Sequence, residues 1–176
     1  TAKYIAPGRT ANLPKVMLDL LKGGLEDEEH DFVRFGILNT PNALIHCVLT
    51  ALEIREYIGL NQDEQEAYAI HFRTTILATQ SPLLYKQELY DVEPKEIQRR
   101  LEDPTIFLDP FLYFRGLEEH FKINIYTFNL AGPVHPILGL NDQEKGPCFE
   151  VPRSKVCHAR PEREDDDRRA LIILKH

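Results

Sequence analysis

The sequence is poor in the residues that build disulfide frameworks and membrane spans. It contains 176 residues with three cysteines, one methionine and no tryptophan. An odd cysteine count in a chain of this length does not fit a disulfide framework, and it indicates a reducing compartment such as the cytoplasm. No apolar run approaches the roughly 20 residues that a membrane-spanning helix needs. We therefore expect no membrane partner.

Basic residues are fewer than acidic residues. The chain has 21 Lys and Arg against 28 Asp and Glu, a formal net charge of -7. A general nucleic-acid binder would carry a basic face, so we expect no nucleic-acid partner. Apolar residues make up 43% of the chain, enough for a core, and the length suits one domain over residues 1–176. Because the chain stops at His176, directly after an apolar run at 170–174, we expect a domain cut from a longer protein.

The apolar pattern predicts helices first and strands last. The first eleven residues read as an irregular arm, and Asn12 reads as the cap of a first helix. Further helices are predicted at 41–58, 63–79, 94–101 and 109–121. Strands are predicted at 32–38, 123–128, 148–151 and 170–174, with a charged loop at 162–169. This order is typical of an α+β domain.

The helix predicted at 41–58 is the most informative segment. Thr40 is a good N-cap and Pro41 a good first helical residue, and the run from Leu44 to Leu52 is apolar on almost every side. Such a helix is buried in the middle of a domain. Its N-terminus, with free N–H groups and the positive end of the dipole, would favour an anion. A cysteine there becomes a thiolate, and a histidine from a strand can share its proton.

Three segments resemble the OTU family of papain-like cysteine proteases, which cleave ubiquitin. Residues 40–48 (Thr-Pro-Asn-Ala-Leu-Ile-His-Cys-Val) are similar to the family's Asp-Gly-x-Cys-Leu-Phe-(Arg/His)-(Ala/Cys)-Val motif. Residues 117–128 resemble its helix followed by an Asn-Ile-x-Val-Phe strand. Residues 172–176 resemble the strand that presents its catalytic histidine. The three segments occur in the family's chain order.

The resemblance implies a papain-like OTU fold, with a helical N-terminal part and a buried central helix packed on a small C-terminal sheet. It implies a cysteine isopeptidase acting on ubiquitin or a ubiquitin-like protein, without a cofactor. The nucleophile position is Ala43 and the base is His176. The three backbone N–H groups of residues 42–44 would form the oxyanion hole, and Thr40, Asn42 and Leu44 are the oxyanion and positioning residues. A viral source would place the domain in the host cytosol.

Ala43 departs most from this pattern, because its side chain cannot act as a nucleophile. Thr40 and Pro41 also replace the family's Asp and Gly. Two explanations remain open: a cysteine-to-alanine change, or a natural pseudoenzyme. The sequence therefore leaves three functions: an isopeptidase inactivated at Ala43, a non-catalytic domain that binds ubiquitin or another protein, and a structural domain of a larger protein.

The remaining cysteines and histidines favour structural roles. Cys47, one turn into an apolar helix, is interpreted as inert core, and His46 as a structural hydrogen-bonding residue. Cys148, Cys157 and His158 lack the paired spacing of a structural zinc site. We therefore expect no metal.

Overall fold

The computed structural model describes residues 4–13, 15, 17–19, 32–129 and 168–175. It has the predicted mixture of helices and strands, an α+β fold. The strands are β1 (Thr10–Asn12), β2 (Val33–Phe35), β3 (Asn124–Asn129) and β4 (Ala170–Lys175). The α-helices bounded within these residues are α1 (Ala43–Ala51), α2 (Arg55–Ile58), α3 (Gln62–Thr75), α4 (Pro94–Glu102) and α5 (Phe114–Phe121). Two 3₁₀ helices, Leu77–Thr79 and Pro82–Tyr85, follow α3.

The N-terminal segment differs from the prediction, which had an irregular arm and a helix capped by Asn12. Residues 10–12 instead pair antiparallel with β2, so Asn12 lies in a strand and does not cap a helix. The Gly36 N–H extends this pairing by donating to the Arg9 carbonyl at 2.8 Å. A Cβ at Gly36 would collide with the Ala6 backbone, so only glycine permits this approach. Pairing with a distant segment outweighs the local capping signal.

The central helix is shorter than predicted. It begins at Ala43 instead of Pro41, and it ends at Ala51. Glu53 then takes a left-handed conformation (φ 52°). The Ile54 N–H returns to the Leu49 carbonyl at 3.1 Å, and α2 begins at the next residue. The turn brings the ring of Tyr57 back into the core, where it is 2% exposed.

The later helices follow the prediction with shifted ends. Asn61 and Glu64 form a capping box at the start of α3, which ends at residue 75, and a 3₁₀ turn follows it. Pro94 is the first residue of α4, as predicted. α5 begins at residue 114 instead of 109, because the Asp109 carboxylate accepts the Phe111 N–H at 3.0 Å and holds the intervening residues in a turn.

The C-terminal sheet agrees with the prediction that the two last strands lie together. β3 and β4 pair in parallel, with Asn124 opposite Ala170. Ile125, Leu171 and Ile173 lie in the same core cluster as Leu44 and Val48 of α1. The predicted packing of a buried central helix on a small C-terminal sheet is confirmed. The strand predicted at 148–151 and most of the charged loop at 162–169 lie outside the described residues.

No helix within the described ranges is long and apolar enough to cross a bilayer.

Two glycines provide a matched test of the packing. A Cβ at Gly116, inside α5, would overlap the hydroxyl of Tyr85, whose side chain is fully buried. A Cβ at Gly59 would meet nothing within 4 Å. We expect Gly116→Ala to lower the free energy of unfolding by about 1–3 kcal/mol through overpacking, and Gly59→Ala to leave it within about 0.5 kcal/mol or raise it. Urea unfolding measures both, and equal effects would contradict the packing of α5.

Candidate functional site

Position 43 lies on the wall of a large apolar cavity. Ala43 is the first residue of α1 and is half-buried. The cavity, of about 880 Å³, is lined on one side by residues 32–39 and on another by residues 171–175. Phe107, Pro110 and Cys47 complete the wall near Ala43. The fold thus brings the start of α1 and the end of β4 to one cavity.

The backbone at the start of α1 is only partly engaged. The Thr40 hydroxyl accepts the Asn42 N–H at 3.1 Å, and the Thr40 carbonyl accepts the Ala43 N–H at 3.0 Å. The Leu44 N–H has no hydrogen-bond partner among the described residues. Of the three N–H groups predicted to form an oxyanion hole, only that of Leu44 therefore lacks an acceptor among the described residues.

The Asn42 side chain points into the protein, not into the cavity. Asn42 is 0% exposed. Its Nδ2 donates to Glu66 Oε1 at 2.9 Å, and its Oδ1 accepts from Arg73 Nη1 at 2.8 Å. Asn42 therefore joins a carboxylate and a guanidinium that both come from α3.

Glu66 accepts hydrogen bonds from three residues, two directly before α1 and one in its first turn. Besides Asn42, the Thr40 hydroxyl donates to its Oε2 at 2.8 Å. The ring nitrogen Nε2 of His46 lies 2.6 Å from the same oxygen. The other ring nitrogen, Nδ1, lies 2.8 Å from the Tyr57 hydroxyl. Because the carboxylate can only accept, we assign the His46 proton to Nε2, with Nδ1 accepting from Tyr57.

Burial sets the charge states in this cluster. His46 is 0% exposed, and burial lowers its pKa below 6.5 although the hydrogen bond and charge of Glu66 oppose the shift. Burial acts to raise the pKa of Glu66, but the hydrogen bonds from His46, Asn42 and Thr40 outweigh it and hold the pKa below its usual value of 4.5. At neutral pH a neutral imidazole therefore donates to a carboxylate. The interpretation of His46 as a structural hydrogen-bonding residue is confirmed.

Arg73 is the fully buried cation behind this cluster. Its guanidinium donates to the Leu101 carbonyl at 3.0 Å, the Ile106 carbonyl at 2.7 Å and the Arg100 carbonyl. Two of these carbonyls are in the last turn of α4, where a cation is favoured. Burial lowers the pKa of Arg73 to about 10, so it remains charged at neutral pH.

The end of β4 is fixed to the loop before α5. The Lys175 ammonium lies 2.8 Å from Asp109 Oδ2, and it is 5.8 Å and 5.4 Å from the ring centres of Phe107 and Phe111. The next residue, His176, lies outside the described residues. That the ring of His176 would lie within reach of a cysteine sulfur at position 43 therefore stays a prediction.

Cys47 is not an alternative nucleophile. It is half-buried on the cavity wall, and burial raises the pKa of its thiol to about 12. At this pKa the thiol is protonated at neutral pH, which disfavours its action as a nucleophile. The interpretation of Cys47 as inert is supported. Within the described residues no group of three or more His, Cys, Asp or Glu could hold a metal ion. Cys148, Cys157 and His158 lie outside them.

Sequence reasoning missed Glu66, Arg73 and Tyr57. Glu66 and Arg73 lie two turns apart on α3, on the same face as the buried Ala69. Charged residues at inward positions of an amphipathic helix are a signal of buried ion or hydrogen-bond networks. That signal was available in the sequence. For Tyr57 there was none, because its approach to His46 depends on the break at Glu53.

Comparison with known proteins adds one similar sequence. The chain is 26% identical over 117 residues to a protein of Spodoptera frugiperda ascovirus 1a named "Putative structural protein ORF84". The match covers 65% of this chain but only 11% of that protein. No family model matches the chain, and no solved structure matches it significantly.

Two glutamates on α3 test the cluster. Glu66→Gln replaces one accepting oxygen with a donor, so at least one of three buried donors loses its partner. We expect the free energy of unfolding to fall by about 1–3 kcal/mol. The control is Glu64→Gln on the exposed side of α3, where glutamine keeps the capping box, and the expected change is under about 0.5 kcal/mol. Urea unfolding at pH 7.5 measures both, and an equal loss in the two variants would contradict the cluster.

The pH dependence of stability has a defined sign. Because the folded-state pKa of His46 lies below its unfolded value of 6.5, the unfolded chain binds more protons between the two values. Stability is therefore complete above pH 6.5 and falls as the pH decreases below it. The lowered pKa of Glu66 extends the loss below pH 4.5. Urea unfolding at pH 7.5 and 5.5 should show this loss, and His46→Gln should reduce it. If His46→Gln loses as much free energy of unfolding between pH 7.5 and 5.5 as the unmodified chain, His46 is not the group responsible for the loss.

Proposed function

We propose that this chain has an OTU-like, papain-like fold and binds ubiquitin or a ubiquitin-like protein without cleaving it. The observation that carries the proposal is the position of Ala43. It is the first residue of a buried helix, it lies on a cavity wall, and the adjacent Leu44 N–H has no partner among the described residues. This is where a papain-like site has its nucleophile and an oxyanion donor.

The second support is the convergence of distant segments. Three segments resemble the OTU family. The first contains the start of α1, the second joins α5 to β3, and the third contains the end of β4. In the structure β3 pairs with β4, and α1 packs on β4. Residues 171–175, which directly precede His176 in the sequence, line the same cavity as Ala43. These contacts are what the resemblance requires.

The chemistry of this cavity favours binding over cleavage. The methyl group of Ala43 cannot attack a carbonyl, and burial raises the pKa of the Cys47 thiol to about 12. The neutral His46 is occupied by Glu66 and Tyr57 on its two ring nitrogens. The described residues of the cavity wall thus provide a largely apolar surface, the unbonded Leu44 N–H beside Ala43 and no activated nucleophile.

Two other functions have specific support. An isopeptidase is favoured by the helix N-terminus, and it would need cysteine at position 43, with His176 as base and then as acid to the leaving lysine. A role as a structural protein is favoured by the name of the similar ascovirus protein. Viral origin and a host-cytosol location belong to the same proposal.

Binding can be tested at position 43 itself. We expect monoubiquitin to bind the unmodified chain in isothermal titration calorimetry. We expect Ala43→Arg to weaken binding at least about tenfold, because a long charged side chain on this wall would occupy the cavity. The control is Tyr90→Arg, at a residue that is 73% exposed and absent from the cavity wall. No binding by the unmodified chain, or equal loss in both variants, would contradict the proposal.

Reactivity separates the binder from the enzyme. If the site is papain-like, Ala43→Cys should introduce a thiol with a pKa well below 8.5, stabilised by the helix N-terminus and His176. A ubiquitin probe with a thiol-reactive C-terminus should then label it, and His176→Ala should slow the labelling. The unmodified chain is the control, because Cys47 should not react. Labelling of Cys47 would mean that the nucleophile lies one turn later. No labelling of Ala43→Cys would exclude the enzyme.

A further inference from the structure

The cavity beside Ala43 follows the edge of a strand. All five residues from 171 to 175 line it. Successive side chains on a strand point to opposite faces of the sheet. Five consecutive residues can therefore border one cavity only if the cavity runs along the backbone edge of β4.

The hydrogen-bond register shows that this edge is unpaired. The Asn124 N–H donates to the Arg169 carbonyl at 3.0 Å. In a parallel pair this bond directs the backbone groups of Leu171, Ile173 and Lys175 toward β3, and those of Ile172 and Leu174 away from it. The sheet contains only β3 and β4 among the described residues, and no described residue bonds the outward groups of Ile172 and Leu174.

The edge and its surroundings are apolar and exposed. Ile172 is 43% exposed on β4, and Val33 and Phe35, on the opposite wall, are 58% and 50% exposed. Proteins usually block a free edge with charges, proline or a bulge. Among the residues of β4 only Lys175 is charged, and its ammonium already pairs with Asp109. The edge is therefore suited to accept another strand.

One guanidinium group on the cavity wall is only partly hydrogen-bonded by the described residues. Arg34 lines the cavity, and its Nε donates to the Asn12 carbonyl at 2.9 Å. Its Nη1 is enclosed by protein and has no hydrogen-bond partner among the described residues. An enclosed cationic donor is costly unless an acceptor satisfies it, and a carboxylate is the strongest acceptor.

We propose that the free edge of β4 binds an extended segment of a partner protein as an added strand, and that an acidic residue of this segment pairs with Arg34. The backbone of Ile172 and Leu174 selects the extended conformation, and Val33 and Phe35 contact apolar side chains. A second copy of this chain fits less well, because β4 has no acidic residue to bring to Arg34. The inference rests on the proposed binding role and adds the chemistry of the bound segment.

Amide hydrogen exchange tests the strand addition directly. The probe is a capped heptapeptide, Thr-Val-Thr-Glu-Thr-Val-Thr. In the free protein the amides of Ile172 and Leu174 should exchange rapidly, whereas those of Leu171 and Ile173 are already bonded to β3. Saturating peptide should slow exchange at residues 172 and 174 at least about tenfold and leave residues 171 and 173 unchanged.

Variants test the two contacts separately. Ile172→Pro removes one outward N–H without touching the ladder to β3, and it should weaken peptide binding about tenfold. Ile172→Thr keeps the N–H and should change affinity by less than about threefold. Arg34→Gln should weaken the glutamate peptide about fivefold and should not weaken a peptide with glutamine in its place. Thermal unfolding of each variant verifies the fold.

Three outcomes would overturn the inference. Slow amide exchange at residues 172 and 174 without peptide would mean that another strand already occupies the edge. That strand belongs to the same chain if the protection is independent of protein concentration, and to a second copy if it increases with concentration. Peptide binding without the alternating protection would exclude strand addition. If ubiquitin binds but does not slow amide exchange at residues 172 and 174, this inference alone is overturned. If the peptide binds and ubiquitin does not, the proposed function alone is overturned.

Discussion

The described part of the fold depends on one buried amide. The side chain of Asn42, directly before α1, donates to Glu66 and accepts from Arg73, so it joins two charges of opposite sign that α3 carries on its inner face. Neither charged group contacts the other through a hydrogen bond. Thr40 and His46 also bind Glu66, but Asn42 is the residue of this cluster that joins the start of α1 to both charges of α3.

This attachment extends to the segments around the cavity. Arg73 binds the carbonyls at the end of α4 and in the loop after it, and the Leu108 N–H from that loop donates to the Pro41 carbonyl at 3.0 Å. The same loop continues to Asp109, which holds Lys175 at the end of β4. The start of α1 and the end of β4, which both line the cavity, are thus connected through this loop by polar contacts. Such a network is costly when incomplete, and its satisfied geometry fixes one arrangement.

The sequence predicted the parts of the fold that local patterns determine. The apolar run at 44–52, the proline at the start of α4 and the alternation in β3 each specify one element, and each is found in the structure. The β1–β2 pair was missed because it depends on a partner more than twenty residues away and on the close approach at Gly36. The break after α1 was missed because Glu53 carries no local signal for a left-handed conformation.

The sequence predicted where the backbone of the candidate site lies, but it did not predict how the side chains of the site are oriented. The position of Ala43 at a buried helix start follows from the capping and apolar pattern around it. The inward orientation of Asn42 does not, because it depends on Glu66 and Arg73, which lie 24 and 31 residues further along the chain. An asparagine before a helix is locally a cap. Here the buried charges of α3 engage its side chain instead.

The central claim is that Asn42 and Arg73 act as one unit in holding the start of α1. A double-mutant cycle with Asn42→Ala and Arg73→Met, read by urea unfolding at pH 7.5, measures this directly. The contacts predict that each single variant loses about 2–4 kcal/mol, since each leaves a buried polar partner unpaired. They also predict that the double variant loses less than the sum by about 1–3 kcal/mol. Losses that add within about 0.5 kcal/mol would show that the two residues act independently and would contradict the account.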